Sequence, residues 1–176
     1  MYRDNTLIPT EAIRLAALGY LASAPAPYAD VAAEVRQFTG RIVGPSLEVL
    51  GTSIELLRYE GLVEPVDDTD DSPLQITEAG RLELISLLRS NVRTPVDGVN
   101  KLILALKMRY LHMLDPAAQG EQIDMLLDMS RTELVRLDDL ADRYRNEPGH
   151  FRAWLVHDQG QVQARIDWLE GLRGTS

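Results

Sequence analysis

The chain contains no cysteine. No disulfide framework, zinc–thiolate site, iron–sulfur cluster or thiol nucleophile can form, and the absence agrees with a reducing cytoplasm, the expected location. Long apolar runs are also missing. No stretch approaches the ~18 consecutive apolar residues of a membrane span, and the opening MYRDNTLIPTEAIR has no apolar signal core, so neither a transmembrane helix nor a cleaved leader is expected. Positive charge is scarce: 18 Lys and Arg face 27 Asp and Glu, a formal charge of −9. For the chain as a whole this opposes a nucleic-acid partner, because phosphate neutralisation needs clustered cations. Neither G-x-x-x-x-G-K-[ST] nor G-x-G-x-x-G occurs, which removes the common phosphate loops. His112, His150 and His157 are too dispersed for a metal box, and Asp67-Asp68 and Asp138-Asp139 read as solvated pairs. No catalytic residue, metal site or cofactor is expected, and no enzyme.

What is present is a chain of 176 residues with 45% hydrophobic content, enough for one ordinary domain or two small ones. Thr10 is placed to cap a nearly all-apolar helix, about 11–22, carrying Ile13, Leu15 and Leu18. A second helix is predicted over 28–38 with Val31, Val35 and Phe38 on one face, broken at Gly40 and Gly44-Pro45. Ser46 then caps a third, whose Leu47, Leu50, Ile54 and Leu57 recur at helical spacing up to Gly61. Residues 62–64 and 74–76 read as two short strands around an acidic turn with Asp67, Asp68, Asp70 and Asp71. Thr77 caps a fourth helix to Arg89, with Leu82, Ile85 and Leu88 expected inward. Beyond residue 91 the pattern is wholly helical. Val99, Leu102, Leu106, Tyr110 and Met113 stripe one helix; Ile123, Leu127, Ser130, Leu134, Leu137, Ala141 and Tyr144 follow in heptad steps; and a last helix carries Phe151, Leu155, Val162, Ile166 and Leu169. The expected architecture is mainly α, in two domains. An N-terminal winged helix-turn-helix of three helices plus a β-hairpin wing spans 1–90, and long antiparallel helices for dimerisation fill 91–176.

Two motifs make this order specific: the junction Leu57-Arg-Tyr-Glu-Gly61-Leu62-Val63-Glu64, and the strand and helix cap Leu74-Gln-Ile76-Thr77-Glu78-Ala79-Gly80-Arg81. With these, with Pro27-Tyr28, and with the ending Trp168-Leu169-Glu170-Gly171-Leu172, the sequence resembles the PadR family of bacterial transcriptional regulators. The ending points to its larger subgroup, which includes virulence-gene activators and has a C-terminal helical dimerisation domain. The resemblance implies a homodimeric regulator binding a pseudo-palindromic operator. It also implies dimer contacts through Ile123, Leu127, Leu134, Leu137, Tyr144, Leu155, Val162, Ile166 and Leu169. Where the family usually carries a Gly and a Tyr near the recognition helix, this chain has Glu48 and Gly51.

In a helix-turn-helix the exposed face of the second motif helix reads base edges while the wing and nearby amides meet phosphate. Here that face offers Glu48, Thr52, Glu55 and Tyr59, with Ser46, Ser53 and Arg58 at its edges. A DNA contact would rest on Tyr28, Arg36, Arg41, Ser46, Thr52, Ser53, Glu55, Arg58 and Arg81. Residues 1–90 hold 7 basic and 14 acidic side chains, against 11 and 13 in 91–176, so the surplus acid lies on the winged half. An alternative therefore stands beside the regulator: a winged-helix protein without DNA binding, serving as an acidic adaptor or antagonist for a basic protein partner. Trp154 and Trp168, two heptads apart, read as interface packing or as a sandwich for a small hydrophobic effector.

Overall fold

The computed structural model describes residues 6–44, 50–69 and 71–174, with only the backbone of residues 50–53. Ser46, Leu47, Glu48 and Asp70 thus lie outside the described residues, as do the side chains of Leu50, Thr52 and Ser53. The chain divides into two compact units, 1–92 with 96–114, and 93–95 with 115–176.

The first unit is built around α1 (Pro9–Leu21), whose Ala12, Ile13, Leu15, Ala16, Ala17, Leu18, Gly19 and Leu21 are all buried. A helix with apolar residues around most of its circumference must be enclosed, and α1 packs against α2 (Tyr28–Val43), α3 (Leu50–Tyr59), α4 (Glu78–Arg89) and α5 (Gly98–Tyr110). Thr10 does not cap it. Pro9 takes the first helical position, where a missing N–H costs nothing, and the Ile8 amide donates to Glu11 Oε2 at 2.8 Å.

Helix α2 runs five residues past the expected Phe38. Gly40 is absorbed into it, and the helix stops only at Gly44, whose φ of +85° L side chains rarely adopt. Strands β1 (Val63–Pro65) and β2 (Leu74–Ile76) pair antiparallel, Val63 opposite Ile76. Ala26 adds an edge by exchanging backbone bonds with Leu74 at 3.0 and 2.8 Å. Thr77 caps α4 as its sequence dictates, accepting from the Gly80 amide at 3.0 Å and donating to Gly61 O at 2.8 Å.

The buried face of α4 is Gly80, Leu84, Leu87 and Leu88, whereas Leu82 and Ile85, expected inward, are exposed. Gly80 sets the phase: a Cβ there would stand 2.0 Å from Leu62 O, so this side of the turn is pressed against the strand. Helix α5 belongs to the same unit by packing, against α1 and α2, so the winged unit extends beyond residue 90. A 3-10 turn, Leu111–Met113, follows it.

The second unit is an antiparallel pair, α6 (Pro116–Arg143) and α7 (Phe151–Arg173). Asp115 caps α6 by accepting from the Ala118 amide at 2.9 Å. The seam buries Ile123, Leu126, Leu127 and Ser130 with Leu155, Val162, Ile166 and Leu169. Asp124 meets Arg173 at 2.8 Å, Arg131 meets Glu170 at 2.8 Å, Glu133 meets Arg165 at 3.1 Å and Asp138 meets Gln159 at 2.7 Å. Numbers rising on one helix while falling on the other state the antiparallel register.

A candidate nucleic-acid interface on the winged unit

Tyr28, the first residue of α2, is brought beside Ile54, Glu55 and Arg58 of α3 and Pro65, Thr69, Ser72 and Leu74 of the hairpin, around a notch of about 140 Å³. Three residues expected at the interface from sequence, Tyr28, Glu55 and Arg58, therefore share one surface. The amphipathic spacing of α3 explains why. Ile54 and Leu57 are 1% exposed and bind the helix to the core, which turns Glu55, Arg58 and Tyr59 outward. Thr69 and Ser72 are contributors that sequence reasoning missed; the turn chemistry of the wing was the available signal.

The wing is ordered by its own polar groups. Asp67 Oδ1 accepts from the Thr69 amide at 3.0 Å and from the Thr69 hydroxyl, and the Asp67 amide donates to Ser72 Oγ at 2.9 Å. The two bonds from Thr69, the hydroxyl first, hold the Asp67 carboxyl below its ordinary pKa. With exposed Asp68 and Asp71 it keeps the wing negative.

The arginines separate into two groups. Arg14 spans Glu60 at 2.8 Å and Glu83 at 3.3 Å. Arg109 meets Glu34 at 2.7 Å and lies over the Phe38 ring, 4.7 Å from its centroid. Both are committed to the scaffold. Arg36, Arg41, Arg58 and Arg81 are exposed, and no ion pair among the described residues uses them. Arg36 and Arg41 stand on α2, Arg41 in its last turn. Arg81 is not gathered with the notch: it lines a separate cleft of about 300 Å³ with Ala22, Leu84, Ile85 and Met113.

In the second unit, Ile123, Leu127, Leu155, Val162, Ile166 and Leu169, expected as dimer contacts, are consumed by the chain's own α6–α7 seam. A heptad stripe asks for a helical partner, and the neighbouring helix supplies it. Leu134 and Leu137 are half-buried, and Tyr144 is exposed, edge-on to Phe151 at 5.7 Å. Trp154 and Trp168 are about half exposed on α7. Fourteen residues along a helix is roughly 21 Å, so the two rings cannot clamp one flat molecule within a single chain.

The first unit is thus a winged helix-turn-helix, and the second a helical hairpin. A family model described as "Putative AphA-like transcriptional regulator" matches residues 2–173, so the chain belongs to the AphA-like transcriptional regulators, a PadR-like family of regulators rather than enzymes. Among solved structures it is similar to PadR of Bacillus subtilis, at 14% identity over 96% of this chain and 97% of that one, with a TM-score of 0.39. The same regulator in complex with operator DNA matches at 16% identity over 96% and 100%, TM-score 0.40. Smu.1604c of Streptococcus mutans UA159 matches at 15% identity over 90% and 96%, TM-score 0.38. No curated protein matches. Among the described residues no helix is long and apolar enough to cross a membrane.

Proposed function

We propose that the protein is a DNA-binding transcriptional regulator that acts as a homodimer, each copy presenting α3 and the wing to one half-site of a pseudo-palindromic operator. The observation that carries this reading is the convergence of Tyr28, Glu55 and Arg58 with Thr69 and Ser72 at one notch, where Arg58 enters no ion pair among the described residues. Arg58 supplies a guanidinium for a phosphate or a guanine edge; Tyr28 and Ser72 supply hydroxyl donors for phosphate; Glu55 can accept from a cytosine amino group. Arg36 and Arg41 add cations on the neighbouring helix, and Ser46, Thr52 and Ser53 belong to the same proposed interface by their place in the sequence. Two copies related by a two-fold axis read two half-sites related by the same axis.

The test is retardation of DNA fragments from upstream of the protein's own coding region at low salt, where electrostatic affinity is greatest. Binding at submicromolar protein is expected, and Arg58→Ala and Arg41→Ala should each weaken it several-fold and flatten the salt dependence by about one unit of slope. Absence of any complex at micromolar protein refutes the reading. A second reading, an acidic adaptor without DNA binding, draws on the exposed carboxylates of Asp67, Asp68 and Asp71. It predicts recovery of a basic protein partner that is lost when those residues are neutralised.

A further inference from the structure

Helix α3 turns two large apolar side chains into solvent, Leu56 at 50% exposure and Tyr59 at 90%. The buried pair Ile54 and Leu57 fixes where they point. At about 100° per residue, Tyr59 stands within roughly 10° of the pole opposite that pair, with Glu55 roughly 50° to one side and Leu56 roughly 50° to the other. Arg58 lies roughly 110° from the pole on the Glu55 side, where both residues line the notch with Tyr28 and the wing. The outward face of α3 thus has a polar half beside the wing and an apolar half away from it.

The apolar half is cleared of free charge. Glu60, four residues beyond Leu56 and the next carboxylate along that side, is held by Arg14 of α1 at 2.8 Å, and Arg14 also meets Glu83 of α4 at 3.3 Å. A scattered exposed leucine needs no explanation, but this one flanks the pole of a helix that shares its face with Glu55 and Arg58. An α-helix of about 10–12 Å diameter fills a major groove about 12 Å wide. Side chains near the outward pole then meet base edges, and those round the flank meet the phosphate walls. In that seating Arg58 falls to the wall, while Glu55, Tyr59 and Leu56 fall to the floor. The floor presents hydrogen-bond donors and acceptors at every base pair and one kind of alkyl group, the C5-methyl of thymine. Leucine pairs with none of the polar groups, and against the methyl both partners lose water.

We propose that Leu56 reads a thymine methyl in each half-site, with the Tyr59 ring closing the same apolar contact against water. The proposal rests on the DNA-binding reading above and adds to it a residue that selects sequence without a hydrogen bond. The test uses the upstream fragment of the retardation experiment, amplified once with thymidine triphosphate and once with deoxyuridine triphosphate. The second duplex lacks every thymine methyl outside its primers. Unmodified protein and full-length Leu56→Ala are titrated on both duplexes at several salt concentrations. Leu56 is half exposed, so the substitution leaves the core intact, and circular dichroism verifies that helix content is retained. The unmodified protein should bind the uracil duplex roughly 10–20-fold more weakly, about 4-fold for each methyl buried in two half-sites. Leu56→Ala should bind the thymine duplex more weakly by a similar factor and no longer distinguish the two. Neither change should alter the salt dependence, since no phosphate contact is removed.

Equal affinity of the unmodified protein for both duplexes overturns the proposal. So does a uracil penalty that survives undiminished in Leu56→Ala, which assigns the effect to duplex deformability, or a flattened salt slope in that variant, which sets Leu56 against the backbone. Those outcomes leave DNA binding intact. Retardation of neither duplex refutes the DNA-binding reading, and the proposal with it.

Discussion

At Gly80 the absence of a side chain decides the geometry of the wing. A Cβ at this position would be driven into the Leu62 carbonyl, which is covalently tied to β1 and cannot swing aside as a long side chain would. Gly80→Ala should therefore destabilise the winged unit by roughly 1–3 kcal/mol or more, the range of an overpacked site, read from chemical denaturation. Lys107 presents a different constraint. It is fully buried, its Nζ donates to Leu88 O near the carbonyl end of α4, and burial pulls its ammonium down to about 7 from 10.5. Between pH 7 and about 10.5 the unfolded chain retains a proton that the folded chain has released, so stability rises with pH across this window. Below pH 7 both states are protonated and the dependence disappears. The slope should approach 1.4 kcal/mol per pH unit at most, and Lys107→Met should abolish it, as measured by denaturation at pH 7, 8 and 9. Replacing a buried amine by an apolar chain of similar volume should leave that variant no less stable at pH 7.

Among the elements, the α6–α7 pair holds, among the described residues, one buried ion pair in a seam that is mostly apolar apart from Ser130. Glu133 and Arg165 have side chains about 10% and 15% exposed. Removing one partner leaves the other charge without compensation, so Glu133→Leu should cost roughly 3 kcal/mol, while Glu133→Leu with Arg165→Met should recover most of the loss. Tryptophan fluorescence reports this unit selectively, since both tryptophans of the chain lie on α7. What the sequence discloses differs from element to element. The Thr77 cap and the heptad stripe of α6 are legible because their signals are local or periodic. The inward face of α4 is not, since Leu82, Leu84, Ile85, Leu87 and Leu88 are all apolar and crowd every phase; contact at Gly80 selects one. The end of α2 is ambiguous for a similar reason, with two glycines available and only Gly44 left-handed. At the candidate interface, the turning of Glu55 and Arg58 outward follows from the spacing of Ile54 and Leu57. Which arginines are already engaged does not follow, because Arg14 and Arg109 find carboxylates 46 to 75 residues away in sequence.

For the molecule as a whole, charge is divided against function. Residues 1–90 carry 14 acidic against 7 basic side chains, and the wing places Asp67, Asp68 and Asp71 on the face proposed to meet a duplex. Affinity should therefore be limited by repulsion from the wing rather than by a shortage of hydrogen-bond donors. Replacing these three aspartates by asparagine preserves the turn-forming side chains and should raise DNA affinity roughly 3–10-fold at low salt, with the difference shrinking as ionic strength rises, measured by titration of one fragment at several salt concentrations. The burial of Lys107 has a chemical consequence for the same surface. The chain has only two lysines, so Lys101 is the one side-chain amine open to solvent, and residues 1–90 carry arginine alone. Lysine acetylation, a common means of lowering a regulator's grip on DNA, therefore has no target side chain in that segment.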